Sequence, residues 1–527
     1  MNARIWMLPQ GVLALVFLLY AIATLSGSSY DWDIDHMMYF GGRLLQGELV
    51  WTREFDDKLP LVQMLFALPA AAGSVKAWQA LSIASVLVAA LALGLALRRT
   101  LASDWDLAPD AARPLAWSAS LLFLFLAAAL PGSLSHINPV AASLLTLATL
   151  LLLARKPGRR MAFMAVPGTM LAPAVLASIA ISLRPYLLAP ALLAGLWSAM
   201  RTGTPLAGRR FVVLLDSATW AITLGATGLA LNAAPYIISG EMTAFLDGLS
   251  LLGQQLNPQS LLANASVQAR ALYFGGDLVV FVVLAWVVFA AWVLSGVRRN
   301  HALLRHGTVR VDVLFAVVLS PLALELMILT KHFWPHYQQL FIPYAAVSMA
   351  FMLALLVRSP ASGMATGVAG LLLVGAFLVL VRLDLSRSAL GALRSHAVAH
   401  EREAERHAVE RYLAQRGVRH AGFLNPGHMY LHWRMGEPRH GFPHAAHTLH
   451  IARDWWTKVR KPASLDLPVT RQEYCERLER QGPRFVVDRT DYWVLACFTM
   501  NPASRYRQAA LLETGSGVRL AIFERLR

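Results

Sequence analysis

Ala77 to Leu97 reads AWQALSIASVLVAALALGLAL, an uncharged run closed by Arg98 and Arg99. A helix of that length rises about 30 Å, the thickness of a bilayer's hydrocarbon core. Basic residues at its end stand where the rules of membrane topology place them. The pattern recurs along the chain. Apolar segments of this kind cover Leu8–Leu25, Ala77–Leu97, Leu115–Leu130, Val140–Ala154, Met161–Leu183, Tyr186–Met200, Phe211–Leu231, Leu278–Val297, Val313–Leu329, Leu340–Val357 and Met364–Val381. The expectation is a mainly α fold, a polytopic membrane helix bundle of about eleven spans.

Composition agrees. Of 527 residues, 57% are hydrophobic and only 15% charged, where soluble domains carry roughly 25% charge. Disorder, a coiled coil and a secreted disulfide scaffold are excluded. The net charge of +16 is no nucleic-acid signal, because 24 of the 47 Lys and Arg residues follow Leu380 and most others sit at the ends of apolar segments. No nucleic-acid partner is expected.

With the N-terminus inside, the inner joints carry Arg98 and Arg99, Arg155 to Arg160, Arg201 to Arg210, and Arg298 to Arg310. The outer joints are longer and poorer in positive charge, which fixes the orientation. Eleven spans then place the tail outside. The short apolar piece Pro60–Val75 is read as a helix at the interface, and Leu8–Leu25 as a retained first span. Residues 1–384 form the membrane domain, with outer loops 26–76 and 232–277. Residues 385–527 have the mixed pattern of a small soluble α/β domain: a charged helical run through Arg416, strand-like stretches at His420–Leu424, Arg484–Val487 and Val518–Phe523, and a helix near Arg471–Arg480. Cys475 and Cys497 are the only cysteines, and whether they bridge depends on the compartment.

Seven of the 31 acids fall between Asp31 and Asp57, in the first outer loop. Acids above a bilayer can serve as a general base, hold a cation or stabilise positive charge at a sugar carbon; the bland reading is a solvated acidic loop. Arg184, before Pro185 at an outer helix end, is a phosphate ligand in waiting. His440, His444, His447 and His450 have helical spacing but no carboxylate or thiolate to complete a metal set, so no metal is assigned to them.

Three matches in register follow the first span: Asp35-His36-Met37-Met38-Tyr39, then Gly42-Arg43-Leu44-Leu45-Gln46-Gly47-Glu48-Leu49-Val50, then Phe55-Asp56-Asp57-Lys58-Leu59-Pro60-Leu61. This resembles the first periplasmic loop of GT-C glycosyltransferases of the protein mannosyltransferase and aminoarabinose transferase type. Those show an Asp-Glu pair, a nearby aromatic, a leucine-rich helix ending in Gly and a Lys-Pro-Pro turn. His36 stands in place of the Glu, and Leu59 interrupts the turn. A second stretch, Lys331-His332-Phe333-Trp334-Pro335-His336-Tyr337, is similar to a His-Tyr element of bacterial members; its alternative reading is an aromatic belt at the interface.

The resemblance implies a GT-C bundle with a polyprenyl-phosphate sugar as donor and a lipid, glycan or protein as acceptor, at the outer face of a bacterial inner membrane. It implies Asp35 as the catalytic carboxylate with Asp33 as the second candidate. Lys58, His36, Lys331, His336 and Tyr337, together with Arg184, would bind donor phosphate or substrate. No cofactor is assigned; a divalent cation is the one the acids could hold, and whether the reaction requires one stays open. Two other classes fit the same pattern, a transporter or flippase of lipid-linked sugars and a catalytically inactive homologue.

Overall fold

The computed structural model describes residues 3–26, 32–52, 56, 58–129, 134–155, 166–201, 209–254, 307–329, 335–358, 403–418, 423–424, 470–489, 496–499, 501, 503–513 and 519–526. The expected spans Leu278–Val297 and Met364–Val381, residue Lys331 and the four tail histidines lie outside these residues. The described chain is mainly helical. It divides into two compact units, one of Met1–Ser26, Ala80–Leu231 and Asn257–Ala392, the other of Gly27–Gln79, Asn232–Leu256 and Leu393–Arg527.

The first unit takes helices α1 (Ala3–Ser26), most of α4 (Lys76–Arg99), α5 (Pro109–Ala129), α6 (Ile137–Leu153), α7 (Val166–Leu183), α8 (Leu188–Arg201), most of α9 (Arg209–Ser239), α11 (Gly307–Val313), α12 (Ser320–Leu329) and α13 (Ile342–Arg358). Among the described residues, four segments are long and apolar enough to cross a membrane: Lys76–Asp104, Pro109–Ala128, Phe211–Ser239 and Val311–Leu329. Only 11% of the apolar window of Phe211–Ser239 is buried inside the protein, and Phe211, Leu214, Ile222 and Leu229 are exposed. Apolar surface left bare on this scale calls for an apolar surrounding.

Two π-helical segments interrupt the regular winding, Thr100–Asp104 after α4 and Leu314–Leu319 between α11 and α12. Proline sets the break between α7 and α8. Pro185 disfavours α geometry at the residue before it, and Arg184 is extended (φ −143°, ψ 99°); a short 3-10 turn, Pro185–Leu187, leads into α8.

In the second unit, α2 (Trp32–Leu45) and α3 (Leu61–Ala71) pack face to face. Gly41 lies so close to the Phe66 carbonyl that a Cβ there would collide with backbone. The buried Gln63 ties the pair together, accepting from Val50 N–H at 2.9 Å and donating to the carbonyls of Phe40 (3.0 Å) and Glu48 (2.8 Å). At 11 residues, α3 rises about 16 Å, too little to span.

The segment expected to be a loop from Asn232 is helical as far as Gln254. α9 runs through Pro235 to Ser239 and α10 covers Met242–Gln254. These residues hold the first loop in place. The Asn232 side chain accepts from Leu61 N–H at 2.9 Å, the Tyr236 hydroxyl donates to the Val50 carbonyl, and Trp51 (φ 70°) packs against Phe245 and Gly248.

In the tail, a sheet of order β1-β2-β4-β3 (Phe423–Leu424, Phe485–Arg489, Arg519–Arg525, Tyr506–Glu513) is parallel between β1 and β2 and antiparallel elsewhere. Side chains alternate across it. Val486, Ala521 and Phe523 pack with Tyr474 and Leu478 of α15 (Arg471–Gln481), while Phe485, Val487, Leu520 and Ile522 pack with Val409 and Leu413 of α14 (403–415). Strand β3 was not expected, because YRQAALLE consists largely of helix formers; pairing with β4 overrides that preference. Burial pushes the Tyr506 hydroxyl well above its usual pKa, and that hydroxyl donates to the Pro483 carbonyl.

Cys475 of α15 and Cys497 of α16 (Ala496–Thr499) form a disulfide across 22 residues. Closing a loop of that length stabilises a fold by about 3 kcal/mol in the chain-entropy model. The Cys475→Ser, Cys497→Ser protein is therefore expected to lose about that much in denaturant melts of the tail, and wild type should lose the same on reduction. Equal melts with and without reductant would contradict the bridge.

Candidate functional site

Asp33 and Asp35 occupy the first turn of α2, where the positive end of the helix dipole favours carboxylates. Asp35 is 3% exposed, His36 is fully buried, and Asp56 and Lys58 are 3% and 2% exposed. Lys58 Nζ lies 3.8 Å from Asp33 Oδ1 and 3.8 Å from Asp56 Oδ1, and His36 Nδ1 lies 4.0 Å from Asp56 Oδ1. Asp33, Asp35 and Asp56 are therefore not part of a solvated face. The Trp51 indole donates to the Asp56 carbonyl at 2.9 Å and fixes the chain there. Asp56 was not singled out in the sequence, although it lies two residues before Lys58 in the third matching stretch.

Magnitudes leave this group little net contribution to stability. Each 3.8 Å pair attracts by roughly 4 kcal/mol at an effective dielectric of 20. Removing each ion from water costs several kcal/mol, so attraction and desolvation nearly cancel. What remains is a buried lysine held between carboxylates, with a third carboxylate and an imidazole on the same helix turn. Such a group can take a proton, stabilise positive charge developing at carbon, or present one ammonium to an anion.

A second cluster lies within the first unit, at the N-terminal ends of α6 and of the 3-10 turn Pro335–Phe341. His136 caps α6, its Nδ1 accepting from Asn138 N–H at 3.1 Å. The Asn138 amide donates to the His336 carbonyl at 2.7 Å and accepts from Arg184 Nε. Arg184 Nη2 is 3.4 Å from His136 Nε2, and its guanidinium lies 5.3 Å from the centre of the Tyr337 ring. The His136 and His336 rings stand 4.5 Å apart, and the Tyr186 and Tyr337 hydroxyls are 3.3 Å apart. Arg184, His136, Tyr186 and Tyr337 are all less than 5% exposed. A guanidinium fork beside imidazoles, an amide and phenols is rich in donors and suits an anion with several oxygens.

Three residues that the sequence treated separately, Arg184, His336 and Tyr337, thus come together. His136 and Asn138 were missed, although a His and an Asn between two apolar segments were the available signal.

A third cluster lies at the other end of α8. Asp312, fully buried, accepts from the Trp197 indole at 2.9 Å and the Trp105 indole at 3.4 Å, and pairs with Arg201 Nε at 3.0 Å; Arg201 also pairs with Asp104. One guanidinium thus holds a carboxylate from each π-segment boundary.

The chain matches no protein-family model, no curated protein and no solved structure.

Proposed function

We propose that this protein is a membrane glycosyltransferase of the GT-C type, an eleven-span bundle that transfers a sugar from a polyprenyl-phosphate donor to a lipid, glycan or protein acceptor on the periplasmic face of a bacterial inner membrane. The reading is carried by the buried Lys58–Asp56 pair and the partly buried Asp33 against Lys58, with Asp35 and His36 beside them, directly after the first apolar helix. It is supported by the Arg184, His136, His336 and Tyr337 cluster, whose donors suit a phosphate.

The chemistry is a direct displacement. A loop carboxylate, Asp35 first and Asp33 second, takes the proton of the acceptor hydroxyl as its oxygen bonds to the anomeric carbon. The bond from that carbon to the phosphate oxygen breaks, and its electron pair leaves with the polyprenyl phosphate. Lys58 offsets the charge that grows on the leaving group.

Separate Asp33→Asn, Asp35→Asn and Asp56→Asn variants assign the base. Asp35→Asn is expected to lower transfer by about 10²–10³-fold with donor binding retained, a typical range for loss of a general base. Undiminished transfer in Asp35→Asn, with a large loss in Asp33→Asn or Asp56→Asn, would move the role to that residue.

A further inference from the structure

Asn138 orients two donors at once at the start of α6. Its backbone N–H donates to His136 Nδ1 at 3.1 Å, and its side-chain oxygen accepts from Arg184 Nε. Its amide nitrogen donates in turn to the His336 carbonyl at 2.7 Å, so the amide cannot turn over without losing both side-chain bonds. Asn138, His136 and Arg184 are 0%, 3% and 4% exposed.

The cap decides what His136 can do. An imidazole nitrogen that accepts a hydrogen bond carries no proton, so the bond from Asn138 assigns the ring's proton to Nε2. Nε2 is therefore a donor. It lies 3.4 Å from Arg184 Nη2, and a guanidinium nitrogen also only donates. Two donors cannot bond each other, yet both can bond one oxygen placed about 2.9 Å from each. The same assignment keeps His136 out of proton transfer, because a proton on Nδ1 would break the cap of α6.

We infer that His136 is a binding residue, a neutral donor that shares with Arg184 one unprotonated oxygen of a phosphoryl group. Arg184 supplies the full charge, and the first turn of α6 adds the positive end of its dipole. The Tyr337 ring lies against the guanidinium, and the Tyr186 hydroxyl meets that of Tyr337, so the fork is held from its other side. That the phosphoryl group belongs to a sugar donor rests on the function proposed above; the clamp itself rests on the contact between two donors.

The test uses purified full-length protein in phosphatidylcholine nanodiscs, with farnesyl phosphate as the probe. His136→Ser and His136→Asn keep a side-chain acceptor of the kind favoured at a helix N-cap and lose the Nε2–H. Both are expected to weaken binding about 10–100-fold, the worth of a hydrogen bond to a charged group. His136→Ala loses cap and donor together and should bind as weakly but melt lower than either. Nitrogen NMR of histidine-labelled protein, with the His136 signal identified by its loss in the variants, should show a bare Nδ1, and the Nε2–H should shift when the probe is added. Wild-type affinity in both cap-retaining variants would reduce His136 to a cap and overturn the inference. So would equal competition by farnesol, a protonated Nδ1, or an Nε2–H signal that the probe leaves unmoved. Competition by inorganic phosphate at equal concentration would uphold the clamp with a soluble phosphate as its ligand; competition by the farnesyl ester alone would uphold it with a lipid phosphate. Binding needs no sugar transfer, so His136-dependent binding without transfer would keep the clamp and remove the transferase, and transfer with His136-independent binding would do the reverse.

Discussion

Asp312→Ala is expected to destabilise the helical unit by about 3–5 kcal/mol, read as a large drop in melting temperature in detergent. Asp312 accepts two indole N–H groups and an arginine in a fully buried position. Removing one partner of a buried pair strands the other, which is the expensive case, whereas exchanging the whole pair for apolar residues of similar size can be neutral. Asp312→Ala should therefore be worse than Asp312→Leu combined with Arg201→Leu. Trp105 and Trp197 lose an acceptor in both proteins, and Asp104 loses Arg201 only in the double variant, so the difference between them reports a guanidinium left with Asp104 alone, less that lost pair. Equal melting temperatures for the single and double variants would contradict this account of the cluster.

Arg184→Ala is expected to reduce sugar transfer by about 10²–10³-fold, the usual loss when a donor to a charged transition state is removed. Arg184 lies within bonding distance of Asn138 and His136 and over the Tyr337 ring. Arg184→Lys keeps the charge but loses the planar fork and should recover only part of the rate. Asn138→Ala, which frees the fork from its anchor while leaving the charge, should lower kcat/KM less than Arg184→Ala does. A full rate in Arg184→Ala would remove the phosphate role from this cluster.

The helices were legible where one physical signal dominated. The uncharged run before Arg98 is a helix because nothing in it opposes helical winding, and Pro185 could be read as a break because it fixes the backbone of the residue before it. The continuation of α9 through Pro235 was not legible, since proline normally ends a helix and here tertiary bonds from Asn232 and Tyr236 hold the segment. The acids of the first loop were visible as a cluster, but not which of them would meet Lys58, because Asp33 and Asp56 are 23 residues apart and their approach depends on the α2–α3 packing that Gly41 and Gln63 permit. Asp312 carried no local motif; its partners Trp105, Trp197 and Arg201 lie more than a hundred residues away. Long-range polar contacts of this kind leave no periodicity to read.

Glycosyl transfer is proposed to take place at the Lys58 group. The most direct measurement is sugar transfer by the purified protein in lipid vesicles, offered a pool of polyprenyl-phosphate sugars and extracted envelope acceptors, with wild type set beside Lys58→Ala. Acceptor-linked sugar and released polyprenyl phosphate are expected from wild type, with a loss of both by at least about 10²-fold in a folded Lys58→Ala protein. Absence of transfer by wild type, with lipid-linked sugar moving between the leaflets instead, would contradict the proposal and identify a flippase.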